Sequence, residues 1–120
     1  MRSVTHDRFG EPAEVLHMTQ TGRPEPGPGQ VLIRVILSPI HNHDIWTIRG
    51  TYGTKPALPA TGGSEAVGIV EARGPEVDPA LQGRRVAAAG LKGSWAEYAL
   101  TEAAGVIPVP DEMPDEAAAQ

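Results

Sequence analysis

The chain has 120 residues, enough for one domain and too few for two full-sized cores. Its 40% hydrophobic and 21% charged residues fit a folded globular protein, whereas 14 glycines and 12 prolines leave little room for the long helices of a bundle. Up to Leu100 ten acids balance ten bases, and the net charge of −5 comes from Glu102, Asp111, Glu112, Asp115 and Glu116, so neither nucleic acid nor an anionic membrane surface is an expected partner.

No apolar run approaches the roughly 20 residues of a membrane span. Met1–His6 carries no apolar core of the signal-peptide kind, and a cytoplasmic location is the expectation. Without cysteine there is no disulfide framework, no thiol nucleophile and no thiolate metal site.

Glycine and proline divide the chain into short segments that read mostly as strands. Segments 2–8 and 15–19 are two modest candidates, separated by Phe9-Gly10-Glu11-Pro12. Residues 22–29 make a stiff Gly/Pro loop. Segment 30–38 then runs V-L-I-R-V-I-L, and its branched residues predict a strand buried on nearly both faces. Residues 40–49 are the first plausible helix, with Asn42 as N-cap and Gly50 at the C′ position. Residues 51–63 form an irregular loop. Segment 65–72 is a strand whose Gly68 invites a bulge or a close backbone approach. Segments 84–89, 95–100 and 106–109 complete about seven strands, the pattern of a mainly β, barrel-like domain with one or two short helices.

The acidic tail reads as the start of a helix, with Pro114 suited to N1, Asp115 and Glu116 at the positive end of the dipole, and Ala117-Ala118-Ala119 as propagators. So short a helix is marginal alone. Residues 113–120 are therefore expected to begin a linker helix of a longer protein, following a domain over 1–112.

The densest polar cluster is His41-Asn42-His43-Asp44. His41 and Asp44 stand three apart and would share a helix face, where a carboxylate can hold an imidazole in one tautomer; capping of a surface helix accounts equally for the pair. His41 and His43, two apart, would point about 200° away from each other on a helix. With no thiolate available, a metal would need Asp44 or Glu65 as well, and no metal site is expected. Tyr52 lies between Gly50 and Gly53; a phenol, with an ordinary pKa of about 10, is a neutral proton donor at pH 7, although a ring packed over a loop fits the same spacing. Trp46 and Trp95 read as core or pocket-wall residues. Thr61-Gly62-Gly63-Ser64-Glu65 matches no phosphate loop, and neither G-x-x-x-x-G-K nor G-x-G-x-x-G occurs. Ser64 makes no nucleophile elbow, and Glu65 reads equally as a buried, hydrogen-bonded carboxylate that fixes its loop and as a direct participant in the site.

In order, Pro26-Gly27-Pro28-Gly29-Gln30-Val31-Leu32-Ile33, Ser38-Pro39-Ile40 up to Asp44-Ile45, Gly50-Thr51-Tyr52-Gly53, Pro56-Ala57-Leu58-Pro59-Ala60, Gly63-Ser64-Glu65-Ala66-Val67-Gly68, Gly93-Ser94-Trp95-Ala96-Glu97-Tyr98 and Val109-Pro110-Asp111 span nearly the whole chain. Together they resemble the N-terminal catalytic domain of the medium-chain dehydrogenase/reductase superfamily, a GroES-like, partly open barrel. The chain is similar to its zinc-independent branch of quinone oxidoreductases and 2-enoyl-thioester reductases. Where zinc-dependent members carry a Cys and a His as ligands, this chain has His41 and Ser64.

The resemblance implies an NADPH-dependent, zinc-independent oxidoreductase that transfers hydride to a quinone or an α,β-unsaturated carbonyl, including enoyl thioesters. It further implies Tyr52 as the proton donor near the substrate α-carbon, and His41, Trp46 and Tyr52 on the substrate side. His41 and Asn42 would lie on the nicotinamide side, with Asp44 and Glu65 in structural roles. His41 departs from the asparagine usual at its position. A homodimeric parent enzyme is also implied. The nucleotide would sit on a Rossmann domain following this one, so the 120 residues alone are expected to be inactive and to bind NADPH weakly. The alternative is a free-standing GroES-like barrel serving as a non-catalytic binding module.

Overall fold

A computed structural model describes residues 1–53 and 55–119. The branched run becomes β3 (Gln30–Leu37), flanked by antiparallel β5 (Ala66–Arg73) and β7 (Tyr98–Glu102). With β6 (Arg85–Ala88) and β8 (Ile107–Pro108) these form a five-stranded sheet in the order β7-β3-β5-β6-β8. A second sheet, ordered β2-β1-β4, comprises β1 (Arg2–His6), β2 (His17–Gln20) and β4 (Ala60–Thr61). Among the described residues there are three short α-helices, α1 (Pro12–Val15), α2 (Asn42–Arg49) and α3 (Asp115–Ala118), and two single 3-10 turns, Pro79–Leu81 and Ala103–Gly105. The architecture is mainly β, as the sequence predicts.

Val31, Ile33, Val70, Val86, Ala88 and Ala99 build the core of the larger sheet. Only the first half of β3 is buried on both faces. Val31, Leu32 and Ile33 are closed off, but Arg34 is exposed and Ile36 is 42% accessible. The regular ladder with β7 ends at the Arg34–Tyr98 pair, beyond which Val35 meets the irregular residue Glu97. Gly68 lies opposite Val35, next to a register shift between Val35 and Leu37. A methyl group there would run into the Ile33 side chain and the Arg34 carbonyl, so the glycine marks a close backbone approach.

Residues 95–97 lace the two sheets into a partly open barrel. Val4 N–H donates to the Trp95 carbonyl at 2.9 Å, Glu97 N–H to the Arg2 carbonyl at 3.1 Å, and Val35 N–H to the Glu97 carbonyl at 2.9 Å. This strip replaces the first half of the strand expected over 95–100. Two elements escape the sequence pattern. α1 arises where a separator is expected, because Pro12 presets the first helical turn; Val15 therefore ends a helix rather than opening a strand. β4 is only two residues long, too short for any periodicity, and exists because Thr61 and Ala60 pair with Thr5 and His6.

Arg85 holds the tail against the barrel. Its guanidinium donates to Asp115 Oδ1 at 2.7 Å, to the Pro110 carbonyl at 2.6 Å and to the Met113 carbonyl. Pro114 takes the N-cap position of α3 rather than N1.

Two outcomes follow from this packing. Gly68→Ala forces β3 and β5 apart and is expected to cost about 1–3 kcal/mol, read as a lowered urea midpoint at unchanged slope. Glu97 Oε1 accepts the Arg2 backbone N–H at 2.6 Å, and this bond, with the Arg2 charge, holds its carboxyl below the ordinary value of 4.5. Because the folded value is the lower one, its stabilising contribution is complete above pH 4.5 and is lost as pH falls through the folded value. A carboxyl carbon NMR titration is expected to place the Glu97 midpoint below those of glutamates with no hydrogen-bond donor.

Candidate functional site

The site is built around α2 and the loop that follows it. His41, not Asn42, is the N-cap: its backbone is extended (φ −99°, ψ 159°) and its N–H donates to Asp44 Oδ2 at 2.9 Å. Asn42 is instead the first helical residue and exposed. Gly50 closes the helix in the left-handed region (φ 79°), where a side chain would be strained and would also press on the Phe9 ring. The chain then turns back and brings Tyr52 over the same helix.

The extended conformation of His41 reverses one expectation. A 200° separation holds only if both histidines are helical, and His41 precedes the helix. Its ring lies 5.1 Å from that of His43, with only 22° between their planes. The His43 ring is 5.9 Å from Tyr52, and Tyr52 is 6.3 Å from Trp46. Four flat side chains thus form a row along the surface. Tyr52 is 43% and Trp46 46% accessible, so Trp46 is no core residue. No described residue hydrogen-bonds the Tyr52 hydroxyl. Trp95 packs on Gly62 and Gly63 and donates to the Pro39 carbonyl at 3.3 Å, bracing the segment that leads into α2.

The carboxylates take different roles. Asp44 is 4% accessible; its Oδ2 accepts the His41 backbone N–H, and its Oδ1 accepts the Ser64 hydroxyl at 2.8 Å. The imidazole of His41 pairs with Glu65, Nε2 to Oε2, at 2.6 Å. As a carboxylate only accepts, Nε2 of His41 carries the hydrogen. Glu65 is half-buried rather than buried, with its side chain 31% accessible. Its backbone is pinned from below, where Ser38 donates to the Glu65 carbonyl at 2.6 Å and meets the Ser94 hydroxyl at 2.8 Å.

Ser64 and His43 form a link that the linear sequence does not reveal. His43 Nε2 lies 2.7 Å from Ser64 Oγ. Since the Ser64 proton goes to Asp44, this serine is no activated nucleophile. Adjacency of Ser64 to Glu65 and of His43 to Asp44 is the only signal in the chain, and it becomes a contact only once residues 43 and 64 meet in the fold.

Among the described residues no three His, Cys, Asp or Glu side chains converge as metal ligands. For a dinucleotide, the exposed row of rings offers a flat face suited to a nicotinamide, while no glycine-rich phosphate cradle is present in the sequence. A cavity of about 370 Å³ between β6, β8 and α3 reaches this site only through Glu65 and is lined mainly by Ala87, Val109, Met113 and Ala118. The exposed ring row, rather than that cavity, carries the polar groups able to do chemistry.

The barrel, the α2 cap and the Glu65 strand agree with a known domain. Residues 27–111 match the alcohol dehydrogenase GroES-like domain, and the chain belongs to that family. Its relatives are oxidoreductases. Over 115 residues it is 33% identical to the mitochondrial enoyl-acyl-carrier-protein reductase of Xenopus tropicalis, covering 94% of this chain and 33% of that protein. It is 34% identical to the quinone oxidoreductase of Lama guanicoe, over 94% of this chain and 34% of that protein. A mycobacterial protein solved in complex with NADPH superposes with a TM-score of 0.91 at 33% identity, over 99% of this chain and 37% of that one. The chain thus spans about a third of the length of the curated relatives it matches.

Asp44 tests the geometry directly. Asp44→Ala strips the cap from α2 and leaves the Ser64 hydroxyl and the His41 N–H without their acceptor. A loss of about 1–3 kcal/mol is expected, measured by urea unfolding.

Proposed function

We propose that residues 1–112 are the substrate-side catalytic domain of an NADPH-dependent oxidoreductase, and that 113–120 begin the helix leading to its nucleotide-binding domain. The enzyme reduces quinones or α,β-unsaturated carbonyl compounds, enoyl thioesters included. The observation that carries this reading is Tyr52: an accessible phenol set in a row of flat rings, beside an imidazole held on a carboxylate. Membership of the oxidoreductase family supports it.

When bound, the reduced nicotinamide supplies the hydride. His41 and Asn42 would hold its ring, and His41, Trp46 and Tyr52 would line the substrate side. The flat side chains hold a conjugated substrate against the coenzyme and keep water from the reacting carbon. The Tyr52 hydroxyl would donate the proton that the substrate α-carbon takes up. Glu65 orients His41, and Asp44 fixes the helix that carries the row. The reaction needs no zinc: His41 and Ser64 are committed to Glu65 and to Asp44 and His43.

The phosphates of the coenzyme require a glycine-rich turn that these 120 residues lack, so this domain alone does not turn over substrate. The complete enzyme is read as a cytoplasmic homodimer; no helix among the described residues is long and apolar enough to cross a membrane.

In the complete enzyme, Tyr52→Phe is expected to lower kcat for enoyl thioesters about tenfold or more, the range of a lost general acid. Steady-state kinetics with NADPH measure it, and unchanged turnover would reduce Tyr52 to a wall of the cleft.

A further inference from the structure

One imidazole of the ring row, His43, has no part in the chemistry assigned to Tyr52, yet its hydrogens are fully determined. Asp44 Oδ1 can only accept, and Ser64 has a single proton to give it. The 2.7 Å contact between His43 Nε2 and Ser64 Oγ therefore requires the hydrogen to sit on Nε2. That leaves Nδ1 as the ring's free nitrogen, with no partner among the described residues. The ring is packed beside His41 at 5.1 Å and Tyr52 at 5.9 Å, so its plane is set. Its side chain is 37% accessible, and its unpartnered Nδ1 is not among the buried polar atoms.

Asp44 Oδ1 lies 3.6 Å from His43 Nε2, on a side chain that is itself buried. The other titratable groups against His43 are Tyr52 and His41, whose own Nε2 is tied to Glu65. The ring thus faces a carboxylate held in place by two hydrogen bonds.

We propose that His43 is a second proton-handling residue of the cleft, donating from Nδ1 to a substrate oxygen, with Ser64 and Asp44 as positioning residues. This rests on the oxidoreductase reading and extends it. Tyr52 serves carbon, whereas His43 serves the oxygen on which charge develops. Hydride adds to the conjugated substrate, the carbonyl π pair moves onto oxygen, and the Nδ1–H bond breaks as its proton passes to that oxygen. On an enone or enoyl thioester that proton returns from oxygen to Nδ1 as Tyr52 protonates the α-carbon, so one hydride and one proton are added in all. On a quinone it stays on oxygen, His43 is left neutral with Nε2–H still on Ser64, and water restores the proton at Nδ1.

Two measurements test the assignment. A long-range proton–nitrogen correlation spectrum of the 120-residue chain, recorded with the ring neutral, is expected to show His43 protonated at Nε2 and bare at Nδ1; Ser64→Ala is expected to yield a mixture of tautomers. A wild-type ring protonated at Nδ1 overturns the proposal. In the complete enzyme with a para-quinone and NADPH, His43→Gln is expected to lower kcat about tenfold or more while KM stays within about twofold. An unchanged kcat, or a loss carried by KM alone, also overturns the proposal. A wild-type enzyme that reduces no quinone or enone brings down the oxidoreductase reading itself, and the role of His43 with it.

Discussion

The site depends on one buried carboxylate. Asp44 accepts the His41 backbone N–H with one oxygen and the Ser64 hydroxyl with the other. The first bond starts α2 and sets the extended turn that lets His41 reach Glu65. The second ties that helix to the segment entering β5. A neutral side chain of the same size would satisfy one of these donors but oppose the other, since an amide presents a donor where the second hydrogen already points. A buried carboxylate is stable only when its acceptor capacity is used, and here two fixed donors from different parts of the chain use it.

Much of this was legible in the chain because glycine and proline mark where regular structure cannot continue. Gly50 at the end of α2 and Gly68 within β5 each announce a backbone requirement that holds whatever packs nearby. The branched run of β3 likewise announces burial. Other features needed the fold. Asn42 outranks histidine as a cap by side-chain chemistry, but the cap went to the residue whose backbone leaves the preceding Pro39–Ile40 segment in an extended state. β4 has two residues and no pattern, and only its partner β1 makes it a strand.

The site divides in the same way. Tyr52, His41, Trp46, Asp44 and Glu65 stand in ordered motifs and can be named from them. The stacking of His41 on His43 cannot, because helical spacing does not apply to a residue that precedes its helix. The His43–Ser64 bond joins residues 21 apart, and no local spacing encodes such a contact. Sequence thus named the groups, and tertiary structure chose their partners. His41 and Asp44 are neighbours on paper, yet the imidazole went to Glu65 and the carboxylate to backbone and serine.

The strip at residues 95–97 is the seam between the two sheets. No strand of the smaller sheet continues into a ladder of the larger one, so the barrel is two panels stitched along this side. Panels joined in this way can breathe separately, since breaking a few stitches frees one without melting the other. Because β4 lies between the Tyr52 loop and Ser64 in the chain, a small opening of the lesser panel would shift the loop that carries Tyr52 while the five-stranded body kept its shape. The barrel's incompleteness thereby becomes a source of compliance beside the ring row.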